Sequence, residues 1–223
     1  MRWRHLGGSN DPTPPHAGPK GMDRGRRIGI VVNLTVYRVR LHQADRIPAT
    51  GPVVVVANHQ HLMDGAVLFG CLPRRVSFLV KAEAVKGPLG WLLTNVGQYS
   101  LIRDKPDREP MLQALAQLKA GGAIGIFPEG TRGAGNVESV FAGAGWLAAR
   151  AGAPVVPVAI RGTARPADAR RRRFRPPVTA LVGQPFTVPE GGGRTAVGEA
   201  TEAIRVNLAA LVRELDAELV RAG

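Results

Sequence analysis

The sequence predicts an α/β domain in which a central sheet is covered by helices. Three observations predict it. Short, unbroken apolar runs such as Val53–Ala57 recur along the chain, stretches with helical signals alternate with them, and the last stretch spaces its leucines by three and four residues. At 223 residues and 44% hydrophobic content the chain is long enough for one domain with its own core, and two compact domains would be crowded.

Residues 1–25 lack the apolar core of a signal peptide and are rich in Gly, Pro and polar residues, which predicts a disordered tail. Residues 26–47 follow, with Ile28–Tyr37 apolar and flanked by Arg26, Arg27, Arg38 and Arg40. That run is shorter than the roughly 18–20 apolar residues a membrane span needs. It suits either an interfacial helix, with its apolar side down and its arginines at the headgroups, or an ordinary packed first helix or strand. Val53–Ala57, Val76–Val80, Tyr99–Ile102, Ala123–Phe127, Val155–Ile160 and Val178–Val182 read as strands, several of them apolar enough to be covered on both faces. Gly87–Ile102 is also apolar, but Gly, Asn and Gln interrupt it and it is no span. The clearest helix runs from Asp107 to Ala120, with Asp107 as N-cap, Leu112, Leu115 and Leu118 on one side and Gly121-Gly122 as the stop. The last helix spans about Thr195 to Val220, carrying Ile204, Leu208, Leu211, Leu215 and Leu219.

Charge is unevenly placed. Residues 1–46 hold nine Lys/Arg against three acids and residues 161–175 hold seven against one, so these segments account for nearly all of the formal +13. Two local clusters suggest docking zones for an anionic surface or ligand rather than a uniformly basic nucleic-acid binder. The single Cys71 has no partner for an intrachain disulfide or a metal cage; it fits a reducing compartment and a small buried hydrophobe.

Four stretches carry chemistry. In VVVVANHQHLMDG (Val53–Gly65), His59 and Asp64 follow directly on an apolar strand, where α/β folds place their ligand crevices. A tight turn entering a helix can close that spacing, and the carboxylate then fixes the imidazole tautomer so that the other ring nitrogen can take a proton from a hydroxyl. No Ser or Cys stands nearby as a nucleophile, so the hydroxyl belongs to the substrate. A satisfied structural histidine is the alternative for His59, and a turn residue or a partner of the dyad for His61. In GQYSLIRDK (Gly97–Lys105), Arg103 ends a short strand with a fork that suits phosphate or pairs with Asp104. In IGIFPEGTR (Ile124–Arg132), a buried strand breaks into a turn carrying Glu129, Gly130, Thr131 and Arg132, groups able to accept from hydroxyls and donate to phosphate. APVVPVAIRG (Ala153–Gly162) reads as core strand.

In this order and spacing the four stretches resemble the motifs of the glycerolipid acyltransferases of the 1-acyl-sn-glycerol-3-phosphate acyltransferase family, over roughly residues 48–190. The resemblance implies a single α/β domain with a central mixed sheet. It implies His59 as general base and Asp64 as its orienting partner. Asn58, Arg103, Glu129, Gly130, Thr131 and Arg132 would be substrate-binding, with Val156, Pro157 and Val158 on the acyl-donor side. It further implies direct acyl transfer from acyl-CoA or an acyl carrier protein thioester to a lysophospholipid, with no metal or other cofactor. The expected setting is peripheral, on an anionic membrane at the cytoplasmic face, with no nucleic-acid partner. The Ala169–Arg175 run, including Arg170 to Arg173, would draw anionic lipid or acyl-CoA, with Phe174 as a membrane wedge, or be a solvated loop. One departure stands out: where many relatives carry a lysine just past a phenylalanine, this chain reads Phe141-Ala142-Gly143, which leaves the acceptor headgroup open. A His/Asp thioester hydrolase and a basic nucleic-acid-binding protein are the alternatives. The second leaves the His59, Asp64 and FPEGTR arrangement without a purpose.

Overall fold

Seven strands form one mixed sheet: β1 (Arg38–His42), β2 (Val53–Ala57), β3 (Ser77–Lys81), β4 (Tyr99–Leu101), β5 (Ala123–Ile126), β6 (Val155–Arg161) and β7 (Pro177–Val182). The computed structural model describes residues 11–81, 87–101, 108–130, 132–164 and 174–222. Strand order is β1-β7-β6-β2-β5-β3-β4. β2 pairs in parallel with β5 and β6, β3 in parallel with β5 and β4, and β7 runs antiparallel to β6 while β1 runs parallel to β7. The five strands β4, β3, β5, β2 and β6 therefore point their C-terminal ends the same way.

Helices α1 (Pro19–Thr35), α2 (Met63–Cys71), α3 (Gly87–Asn95), α4 (Glu109–Lys119), α5 (Gly143–Ala151) and α6 (Arg194–Ala222) accompany the sheet. The two-residue period of a strand sends β2 side chains into two cores. Val54 and Val56 meet Leu118 of α4, Leu147 of α5 and Leu208 of α6. Val53, Val55 and Ala57 meet Met22 of α1 and Val67 and Leu68 of α2. Continuous burial on both faces explains why β2 is apolar at every position.

Helix α1 packs with its small and polar side inward. Met22, Gly25, Arg26, Gly29 and Asn33 are buried. Arg26 donates to the Leu72 carbonyl at 2.8 Å and Asn33 to that of Val67 at 3.0 Å. Gly29 and Gly70 bring the backbones of α1 and α2 into contact, so that a Cβ on Gly29 would lie 2.9 Å from Gly70 Cα. Ile28, Val31 and Leu34 face outward, 48, 56 and 48% exposed. Cys71 is buried as expected, and that burial pushes its thiol up to about 12.

Several expectations are corrected. Residues 11–25, expected as part of a tail, lie against the domain: buried Arg74 takes Asp11 as its carboxylate at 2.6 Å and Gln117 donates to the Pro12 carbonyl at 2.9 Å. His16 meets the Tyr99 ring edge-on. The β1 strand was not anticipated; it is an edge strand in which only Leu41 is buried, so it lacks an apolar run. The N-cap of α4 is Arg108, without a side-chain cap bond, and Asp107 lies outside the described residues. Leu112 is half exposed, the buried stripe being Ala114, Leu115 and Leu118. On α6, Ile204, Leu208, Leu211 and Leu215 are buried and Leu219 is exposed. Phe174 is 92% exposed, and Arg170 to Arg173 lie outside the described residues.

Candidate active site

The chain leaves β2 at Ala57 and turns into α2 within six residues, which brings Asp64 back beneath His59. Asp64 is wholly buried in the first turn of α2. Its Oδ2 lies 2.9 Å from His59 Nδ1 and also accepts the main-chain N–H groups of Gln60 at 2.7 Å and His61 at 2.8 Å. Its Oδ1 accepts the hydroxyl of Thr163, just past β6. A buried carboxylate needs such a complete set of donors. Facing an acceptor, Nδ1 carries the imidazole proton and Nε2 keeps its lone pair. His61 has a turn role: its Nδ1 accepts the Met63 N–H at 3.3 Å at the start of α2.

The His59 main chain and ring are held as firmly. Its N–H donates to Glu129 Oε1 at 2.8 Å, and its ring stacks on Phe127 with centroids 4.3 Å apart. Phe127 stacks in turn on Phe78. Glu129 Oε2 accepts the N–H of Val137, whose φ of +59° is a strained region for a β-branched residue. Burial raises the Glu129 carboxyl above the usual range, and the N–H groups of His59 and Val137 oppose that rise. Arg161 donates to the carbonyls of Ala134 and Gly135 and pairs with Asp216 of α6, pinning the same loop from outside.

The imidazole opens on a cavity of about 910 Å³ at the C-terminal ends of the parallel strands. Its wall is largely apolar, built from Leu79, Leu101, Met111, Ile126, Phe127 and Phe141. Gly130, at φ +68°, closes the turn after β5 and lines the cavity. Among the described residues, two cations border the space, exposed Arg132 and Lys81 at the end of β3.

The predicted site residues thus divide. His59, Gly130 and Arg132 line the cavity, and Asp64 supports His59 from below. Arg103 and Thr131 lie outside the described residues. Glu129, expected at the substrate, is turned onto the protein backbone instead. Asn58, also expected to bind substrate, is fully buried and exchanges hydrogen bonds with both main-chain groups of Ile160 at 3.1 and 2.8 Å, tying β2 to β6. Val156, Pro157 and Val158 are buried within β6 on the far side of β2 from the cavity, because the sheet order separates them from it. Two residues escaped sequence reasoning. Thr163 touches Asp64 across 99 positions, a separation that carries no local signal. Lys81 follows an apolar run, and only the C-terminal end of that strand marks it; it supplies a cation where the stretch after Phe141 has none.

The chain is similar to known proteins. A family model described as Acyltransferase matches residues 38–161. The chloroplastic 1-acyl-sn-glycerol-3-phosphate acyltransferase LPAT1 of Arabidopsis thaliana is 31% identical over 134 residues, 58% of this chain and 37% of that protein. The chain therefore spans little more than a third of that relative. The 1-acyl-sn-glycerol-3-phosphate acyltransferase of Bacillus subtilis is 25% identical over 183 residues, 80% of this chain and 90% of that one. The crystal structure of the 1-acyl-sn-glycerophosphate (LPA) acyltransferase PlsC from Thermotoga maritima superposes with a TM-score of 0.67 at 26% identity, covering 88% of this chain and 80% of that chain. With the family model matching more than half of its length and the His59–Asp64 pair in place, this chain belongs to the acyltransferase family.

Proposed function

We propose that this protein transfers a fatty acyl group from an acyl thioester to the free hydroxyl of a lysophospholipid, with 1-acyl-sn-glycerol-3-phosphate as acceptor and phosphatidate as product. One observation carries the reading: an imidazole whose Nδ1 is held by buried Asp64 lines a largely apolar cavity bordered by Arg132 and Lys81. The apolar wall suits an acyl chain, and the cations suit the acceptor's phosphate.

In the reaction, His59 Nε2 takes the proton of the acceptor hydroxyl as that oxygen attacks the thioester carbonyl. Asp64 stabilises the imidazolium. Collapse of the tetrahedral intermediate breaks the C–S bond, and the thiolate leaves with the proton returned from His59. CoA or an acyl carrier protein is the thiol, and the step needs no acyl-enzyme. The relatives' names support this acceptor, since they are 1-acyl-sn-glycerol-3-phosphate acyltransferases. The reading places the enzyme in phospholipid synthesis, peripheral to an anionic membrane on its cytoplasmic face. No helix among the described residues is long and apolar enough to cross a membrane, and the outward apolar side of α1 supports an interfacial position.

The test is acyl transfer from a labelled long-chain acyl-CoA to lysophosphatidate, with wild type and His59→Ala in parallel and products separated as lipids. Phosphatidate from wild type, reduced about 10²–10⁴-fold in the variant, is expected. Free fatty acid in its place would make the protein a hydrolase. Undiminished turnover by His59→Ala would remove the base. Product formed only with an acyl carrier protein thioester would reassign the donor.

A further inference from the structure

A second depression, of about 430 Å³, lies between the C-terminal end of α1, the start of β1 and the chain entering β7. Arg38, Arg40 and Arg175 line it together with Leu34, and among the described residues no carboxylate lines it. Arg38 and Arg40 stand two apart on an edge strand, hence on one face, and both are exposed. Arg175 enters from the other side: its Nη2 lies 3.5 Å from the Tyr37 carbonyl, and its buried Nε has no hydrogen-bond partner among the described residues. None of the three forms an ion pair among the described residues. Three guanidinium groups around one concavity repel one another, and an anion placed between them relieves that repulsion; their planar donor forks match phosphate oxygens.

Two further features identify the anion's source. Leu34 forms part of the wall and is the last of the outward apolar residues of α1, after Ile28 and Val31, so hydrocarbon and phosphate binding meet at this point. The register supplies the orientation. Arg40 pairs with Thr179, and Thr179 with Arg161 at the C-terminal end of β6, so the depression opens at the same end of the sheet as His59. Three strand spacings put β1 roughly 15 Å from β2.

We infer that Arg38, Arg40 and Arg175 form a binding site for the phosphate of an anionic bilayer phospholipid, separate from the catalytic cavity, with the lipid's chains lying along Leu34 and Val31. Its purpose, holding the catalytic end against the membrane that carries the acceptor, rests on the lysophospholipid reading; the binding itself does not.

The experiment is flotation of the full chain with vesicles of phosphatidylcholine, and of phosphatidylcholine mixed with phosphatidylglycerol, at fixed ionic strength. An arginine at an anionic surface contributes about fivefold in affinity, so Arg38→Gln/Arg40→Gln/Arg175→Gln is expected to bind the mixed vesicles about 100-fold more weakly. The double variant Arg38→Gln/Arg40→Gln, confined to exposed positions, should lose about 25-fold and guards against misfolding through Arg175. Arg194→Gln/Arg213→Gln/Arg221→Gln on α6 removes the same charge elsewhere and should keep most of the affinity. Equal losses in the two triple variants would reduce the effect to net charge and overturn the site, as would unchanged binding of the first. Inorganic phosphate bound by wild type but not by the variant, with vesicles bound alike, would make the ligand a soluble phosphate and overturn the lipid assignment. Vesicle binding needs no acyl transfer, so failure of the proposed reaction and failure of this site are read separately.

Discussion

Thr163, at the end of β6, donates its hydroxyl to the one oxygen of Asp64 that His59 does not use. His59 is thereby anchored to the sixth strand through a side chain that is not among the residues lining the cavity. Thr163→Val leaves a buried carboxylate oxygen without its donor, a loss of about 1–3 kcal/mol. We expect kcat to fall about tenfold to a hundredfold with the acceptor KM unchanged, and Thr163→Ser to restore most of it. Steady-state kinetics with the acceptor varied makes the comparison. A change confined to KM would place Thr163 at the substrate instead.

Glu129 supports His59 from the other side, through the backbone. An amide at this position can offer its oxygen to the N–H of His59 or of Val137 but not to both. Glu129→Gln is expected to lower kcat by about tenfold to a hundredfold through misplacement of the imidazole. It also carries a pH signature. Because burial raises the folded-state value, the charged carboxylate is a cost that is absent below the ordinary glutamate range and sets in as pH rises through the raised value. The stability difference between wild type and variant should therefore shift toward the variant across that window. Denaturation series at several pH values measure it.

Gly70 and Gly29 allow α1 to lie directly on α2. A methyl group at Gly70 would run into the Gly29 carbonyl. Gly70→Ala is expected to destabilise the protein by about 1–3 kcal/mol, read as a lower denaturant midpoint. Gly198→Ala, on α6 where a Cβ meets nothing, is the control and should not destabilise.

Asp216 and Arg161 make two hydrogen bonds, of 2.7 and 2.9 Å, that join α6 to β6, and the guanidinium holds the Asp216 carboxyl below its usual range. A depressed folded-state value means that the stabilisation is present above the ordinary aspartate range and is lost as pH falls through the depressed one. With Asp216 46% exposed, solvent screening limits the pair to about 1 kcal/mol or less. Asp216→Asn should lower the melting temperature at neutral pH by up to about 2–4 °C and converge with wild type in acid. Calorimetry across pH checks both limits.

The same physics explains what could be read in advance. β2 was legible to the residue, because a strand buried on both faces is apolar throughout and ends where its polar turn begins. The His59–Asp64 pairing was legible because a turn into a helix closes a fixed spacing. β1 was hidden because an edge strand needs only Leu41. The inward face of α1 was hidden because glycine, arginine and asparagine were chosen for close approach and for the carbonyls of α2, not for apolarity. The inward roles of Asn58 and Glu129 depend on partners 102 and 70 positions away, which periodicity and spacing do not report.

Those long separations also dictate an order of assembly. His59, Glu129 and Thr163 come together only after β2 has been enclosed by β5 on one side and β6 on the other, two parallel pairings that close long loops. Such non-local pairings form slowly compared with helices. During synthesis His59 and Asp64 leave the ribosome long before Glu129 and Thr163, which hold them in place. On refolding, enzymatic activity should therefore return after the helical signal has recovered, making turnover a sensor of the completed chain.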